Sequence, residues 1–216
     1  MKIFKTSKGR ESILFALNLV ARKNKKFILT QAYTCSAVPE AILSAGYKPL
    51  WIDIEMDTFS FDLNYFSNAI VNFKDSIGAI IIQHTFGYEP KNYLSVKKIA
   101  LKYKIPIIED RCHCNFIYDL LHLSEKTEES IVYCYSFENG KPIKLGRGGL
   151  LIFHSDNNLV NAKADNIYYS YLNKIFYNKT KKNQSNIKIK SLLKNNKNKS
   201  ENHLINISNI PNKNNA

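Results

Sequence analysis

IGAIIIQHTFGYEPKNYLSVKKIALKYKIPIIED, residues 77–110, holds two almost wholly apolar runs with a helical pattern between them. The first run, Ile77–His84 (IGAIIIQH), and the last, Ile105–Asp110 (IPIIED), lack the alternation of a strand with one wet face. Continuous apolar runs of this length form strands covered on both faces of a sheet. Tyr93–Tyr103 carries the helical period, so the segment predicts a strand–helix–strand unit with its strands parallel.

The same alternation continues outward. Lys26–Tyr33 (KFILTQAY), Lys48–Ile54 (KPLWIDI), Ser130–Phe137 (SIVYCYSF) and Gly149–His154 (GLLIFH) read as four more strands. Ile13, Leu14, Leu17, Val20 and Ala21 share one face of a helix. Ser36 is placed to cap a short helix with Pro39 in its first turn and Gly46 past its end, and Asp62 to cap one running to about Phe73. Six strands alternating with helices predict an α/β fold: three layers, α/β/α, around a mainly parallel sheet. Ligands of such sheets sit beyond the carboxyl ends of the strands. Attention therefore falls on Tyr33–Cys35, His84–Gly87, Asp110–His113 and Ser136–Lys141.

Composition bounds what the chain does. It has 216 residues, 31 Lys+Arg against 18 Asp+Glu, and is 44% hydrophobic, enough to bury a core. The charge is uneven: residues 157–216 hold eleven lysines against Asp165 and Glu201. We therefore expect a nearly balanced domain at 1–156 and a Lys/Asn-rich, largely low-complexity tail at 157–216, with one helix around Ile167–Phe176. No stretch reaches the ~18–20 apolar residues of a membrane span, so no membrane association is expected. Lys2, Lys5, Lys8 and Arg10 before Ile13–Leu17 imitate a secretory signal, but Glu11 and Asn18 interrupt it and Arg22-Lys23 stands at the cleavage position. A cytoplasmic protein is the expectation. Four cysteines are too few for a disulfide scaffold. Adjacent residues of Cys112-His113-Cys114 point to opposite sides, so no metal site is expected there.

Taken singly, the polar residues at the strand exits are ordinary. Asp110 reads as a cap or turn residue, Lys141 as a solvated loop lysine, and Lys8-Gly9-Arg10 as a helix start whose N–H groups suit an anion. Together, a buried Asp, a Lys about thirty residues later, a Ser five before that Lys and a glycine at a helix start are the parts pyridoxal 5'-phosphate requires.

Several ordered stretches carry a family resemblance: Gly9-Arg10, Ala32-Tyr33-Thr34-Cys35-Ser36-Ala37-Val38 with Glu40-Ala41-Ile42, and Ala45-Gly46-Tyr47-Lys48-Pro49 into Trp51-Ile52-Asp53-Ile54. His84-Thr85-Phe86-Gly87, Glu109-Asp110 and Ser136-Phe137 through Lys141 to Gly148-Gly149 complete it. Across residues 9–154 the chain resembles the DegT/DnrJ/StrS family of PLP-dependent aminotransferases, fold-type-I enzymes that aminate keto sugars attached to nucleotides. The resemblance implies that Lys141 condenses with the cofactor's aldehyde and that Asp110 faces its ring nitrogen. His113 would face the phenolic oxygen, and Ser136 with the Gly9-Arg10 backbone would hold the phosphate. Cys35 falls where relatives place an aromatic ring. It further implies a homodimer, glutamate as amino donor, a nucleotide-linked keto sugar as acceptor, and a small carboxy-terminal domain that this chain is expected to lack. Two alternatives stand beside it: a truncated, inactive remnant that at most binds PLP, and, less favoured, a nucleic-acid-binding protein acting through its basic tail.

Overall fold

A computed structural model describes residues 1–123, 131–153 and 163–170. Its strands are β1 (Lys2–Thr6), β2 (Phe27–Gln31), β3 (Lys48–Ile52), β4 (Ile77–Gln83), β5 (Ile107–Asp110), β6 (Ile131–Ser136) and β7 (Gly149–Phe153). Its helices are α1 (Gly9–Val20), α2 (Ala37–Ser44), α3 (Leu63–Phe73), α4 (Tyr93–Lys102) and α5 (Phe116–Leu123).

The strands form one sheet in the order β1-β7-β6-β5-β4-β2-β3. The pairs β3–β2, β2–β4, β4–β5 and β5–β6 are parallel, while β7 runs antiparallel to β6 and β1. Alternate side chains enter two apolar layers. Ile28, Ile81, Ile108 and Cys134 pack with Ile13, Leu17 and Ile42 of α1 and α2. Leu29, Ile80, Ile107 and Tyr133 pack with Phe66 and Ile70 of α3 and Val96 of α4. This is the expected three-layer arrangement, and every residue of β4, β5 and β6 is buried.

Two elements lie beyond the sequence expectation. β1 is a short edge strand whose lysines hide its pairing with β7, and α5 follows the loop after β5. Asp62 caps α3 as expected, its side chain accepting the N–H groups of Asn64 and Tyr65. His154, most of the Lys/Asn-rich tail and the later part of the helix expected near Ile167 lie outside the described residues. Residues 163–170 are helical and pack on the sheet: Ala164 is fully buried, Tyr168 meets the rings of Phe4 and Phe15, and Asp165 pairs with Lys2 at 2.7 Å. One compact unit runs Met1–Ser170. Apolar contacts of Ala164, Ile167 and Tyr168 hold the segment. Among the described residues no helix is long and apolar enough to cross a membrane.

The chain passes outward from β2 to β3, then returns to the other side of β2 to begin β4. At such a reversal the connections leave neighbouring strands in opposite directions and open a crevice at their carboxyl ends.

Candidate active site

A cavity of about 330 Å³ opens at that crevice. Gly9, Arg10, Asp110, His113, Ser136 and Lys141, singled out from the sequence, all line it. They come from the start of α1, the ends of β5 and β6, and the loop after each strand. Tyr33, Cys35, Gln83, His84 and Phe86 complete much of the wall.

At one end, the start of α1 lies against the end of β6. Lys8, the N-cap residue, gives no side-chain hydrogen bond to the first turn, so that turn depends on other acceptors for its N–H groups. Ser136 Oγ is buried there without a hydrogen-bond partner. A Cβ built on Gly9 would stand 2.6 Å from Ser136 Cβ and 3.0 Å from both Ser136 Oγ and Cys112 Sγ. An unsatisfied hydroxyl and a helix start kept open by glycine fit a phosphate group. The Arg10 guanidinium is paired with Glu40 of α2, so it is Arg10's backbone that serves the helix start.

Gly9→Ala tests this cradle. The added methyl is expected to cost about 1–3 kcal/mol through overpacking. It should also weaken binding of inorganic phosphate or PLP by about tenfold, as loss of one hydrogen bond to a charged group does. Thermal unfolding and fluorescence titration check the two effects separately.

Asp110 lies on the floor, in register with Gln83 on β4 and Cys134 on β6. Its Oδ1 accepts the Cys112 N–H at 3.1 Å. Burial, reinforced by Asp110, pushes the Cys112 and Cys134 thiols well up, so both are neutral. Burial pushes the His113 pKa down, Lys141 adds to the shift, and Asp110 opposes it. Cys35 is exposed at the mouth. Among the described residues no group of three or more His, Cys, Asp or Glu could hold a metal ion.

A second polar cluster braces the loop after β5. Glu109 is fully buried; its Oε2 meets His84 Nε2 at 3.0 Å and Arg111 Nη1 at 2.8 Å, and its Oε1 accepts the Tyr93 hydroxyl at 2.6 Å. Arg111 also grips Asp119 of α5 through Nε at 2.8 Å and Nη2 at 3.0 Å. Burial opposes the Glu109 charge most strongly, but His84, Arg111 and Tyr93 together outweigh it and hold the carboxyl below its ordinary range. Arg111 is held above its ordinary pKa by Asp119 and Glu109 in spite of burial. This cluster ties Glu109 and Arg111, the residues on either side of Asp110, to His84, to Tyr93 of α4 and to Asp119 of α5.

His84 lines the cavity and, through its bond to Glu109, is also part of the brace. Phe86 lies in the His84–Gly87 strand exit expected to border a ligand, whereas Gln83 falls outside every such exit and lines the wall as well. Gln83 owes its place to its register with Asp110, a pairing that no local motif encodes.

A helix start that fits an anion, a lysine and a buried carboxylate meet at the switch point of a three-layer α/β/α sheet, the fold of the large domain of pyridoxal-phosphate-dependent transferases. The family model for the DegT/DnrJ/EryC1/StrS aminotransferase family matches residues 3–188, and the chain belongs to this family. A UDP-2-acetamido-2-deoxy-3-oxo-D-glucuronate aminotransferase of Pseudomonas aeruginosa is 29% identical over 62% of this chain and 36% of its own length. A UDP-4-amino-4,6-dideoxy-N-acetyl-beta-L-altrosamine transaminase of Campylobacter jejuni is 31% identical over 62% and 34%. The 3-oxo-glucose-6-phosphate:glutamate aminotransferase of Bacillus subtilis is 27% identical over 51% and 24%. The chain spans about a third or less of the length of these curated relatives, at 36%, 34% and 24%. Among solved structures, NtdA from Bacillus subtilis with bound cofactor PMP superposes with a TM-score of 0.60 at 22% identity, over 76% of this chain and 35% of that one. Helicobacter pylori PseC, an aminotransferase involved in the biosynthesis of pseudoaminic acid, gives 0.61 at 17% identity, over 76% and 43%. At these identities the structures establish the shared fold.

Proposed function

We propose that this chain binds pyridoxal 5'-phosphate in the cavity and serves an aminotransferase that moves an amine from glutamate to a nucleotide-linked keto sugar. The observation that carries the reading is the convergence of Lys141 and Asp110 on one cavity that also holds the Ser136–Gly9 cradle. The cofactor would supply an aldehyde to carry the amine and a ring to take up the electrons of a broken C–H bond. Ser136 Oγ and the N–H groups at Gly9 and Arg10 would hold its phosphate. The Asp110 carboxylate would keep the proton on the ring nitrogen. The Lys141 amine would anchor the aldehyde and, once displaced by the amino donor, take a proton from the donor's α-carbon and return it. His113 would contact the ring's phenolic oxygen.

The names of the relatives support the substrate classes: two act on UDP-linked sugars and one has glutamate in its name. A homodimeric, cytoplasmic enzyme completes the reading, on the strength of the family.

Adding PLP to the purified protein is expected to produce an absorbance band near the visible edge. Borohydride reduction followed by peptide mapping should put the stable adduct on Lys141, and Lys141→Ala should abolish it. An adduct on another lysine defeats the site assignment, and absence of any adduct defeats the cofactor reading.

A further inference from the structure

His113 has two ring nitrogens, and the geometry distinguishes them. The Phe86 N–H donates to His113 Nδ1 at 3.3 Å. A ring nitrogen that accepts a hydrogen bond carries the lone pair, so in the neutral imidazole the proton belongs to Nε2. The donor is held in place by an unusual turn. Phe86 has φ 56° and Gly87 φ 87°, both left-handed, and a bulky residue such as phenylalanine adopts that conformation only when its surroundings impose it. Those surroundings are the Phe59 ring, edge-on at 5.4 Å, and the His113 loop. The Phe86 ring lies nearly parallel to the imidazole, at 6° and 6.3 Å between centroids. A Cβ built on Gly87 would come within 2.6 Å of the His113 carbonyl oxygen, so glycine is what lets the two loops approach.

We propose that the Phe86–Gly87 turn is a positioning device that sets the tautomer of His113, leaving Nδ1 unprotonated and Nε2 protonated, so that the imidazole presents an N–H donor to the cavity. Phe86 and Gly87 act through His113 and are positioning residues. The charged groups acting on the imidazole are Lys141, which together with burial disfavours its cation, and Asp110, which favours it. The neutral ring is the form in which tautomer choice has meaning.

The chemical consequence is selective. An N–H donor in the same cavity as Asp110 favours a bound ring that bears an acceptor oxygen, such as the phenolate of pyridoxal phosphate, over one with hydrogen at that position. This consequence rests on the cofactor reading above, whereas the tautomer itself does not.

The test uses the full chain labelled with 15N-histidine, without cofactor, at neutral pH. His113, assigned by its loss in His113→Gln, is expected to show Nδ1 at the shift of an unprotonated ring nitrogen and Nε2 at that of a protonated one, with no averaging. The Phe86 amide is expected to exchange slowly with solvent. In His113→Leu that exchange should quicken by about tenfold, the cost of one lost hydrogen bond, while His113→Gln should restore protection because its Oε1 accepts the same N–H. The glutamine amide also offers a donor to the cavity, so PLP retention should follow the same order, and 3-deoxypyridoxal phosphate should bind wild type and His113→Leu alike. A protonated Nδ1, averaged tautomers, or a Phe86 amide indifferent to residue 113 overturns the proposal. A fixed tautomer without PLP uptake leaves it standing and defeats the cofactor reading; PLP uptake with averaged tautomers does the reverse.

Discussion

Asp110→Asn is expected to leave the fold intact and to remove most of the cavity's ability to hold and use pyridoxal phosphate. Oδ1 of Asp110 accepts the Cys112 N–H at 3.1 Å, and the carbonyl oxygen of asparagine can accept it equally well. The loop from Arg111 to Cys114 therefore keeps its anchor, and the Arg111 brace is untouched. What disappears is the negative charge on the floor. A hydrogen bond between charged groups contributes roughly 1.5–3 kcal/mol, so cofactor retention should fall about ten- to a hundredfold. Amine transfer should fall further, because an unprotonated ring nitrogen draws electrons poorly. Absorbance titration with PLP and a single-turnover assay with glutamate check the two effects. Wild-type behaviour in both would mean that Asp110 is not the partner of the ring nitrogen.

Arg111→Leu should have the largest effect on stability. The guanidinium lies between Glu109, fully buried, and Asp119, 6% exposed, and touches both. Removing it leaves two buried carboxylates without their shared cation, which destabilises by about 3–5 kcal/mol. Domains of this kind have only ~5–15 kcal/mol in total, so the variant should unfold far earlier in urea. The pH dependence gives a sharper signature. In the wild type the Glu109 carboxyl is held below its ordinary range, so its contribution is present at neutral pH and lost as pH falls through the folded-state value. In the variant His84 and Tyr93 still oppose burial but Arg111 does not, so the folded-state pKa of Glu109 moves up. Stability should then fall less steeply than in the wild type as pH drops through the carboxylate range. Urea midpoints measured from pH 7 down to about 3 distinguish the two; equal slopes would show that the guanidinium does not help keep Glu109 ionised.

Much of the fold was legible because local signals agreed. IGAIIIQH and IPIIED are too apolar for anything but doubly covered strands, and β4 and β5 are buried throughout. Asp62 announced the start of α3 by its side-chain chemistry. β1 escaped because the alternation in KIFKT is short and its lysines look like a solvated leader; only pairing with β7 makes it a strand. The period around Ile167–Phe176 predicts a helix, but nothing local shows that Ala164 and Tyr168 pack against α1 and β1.

The site divides along the same line. Gly9, Asp110, His113, Ser136 and Lys141 could be chosen from the sequence because each stands at a strand exit or helix start, where chemistry collects. The sequence by itself determined that this is a parallel α/β protein with those polar groups at the strand ends. Only the tertiary structure decided which groups meet: Gln83 beside Asp110, Arg111 between Glu109 and Asp119, Phe86 N–H on one nitrogen of His113. Strand register and a left-handed turn fix these meetings, and both follow from how distant segments pack rather than from the residues next to them in the chain.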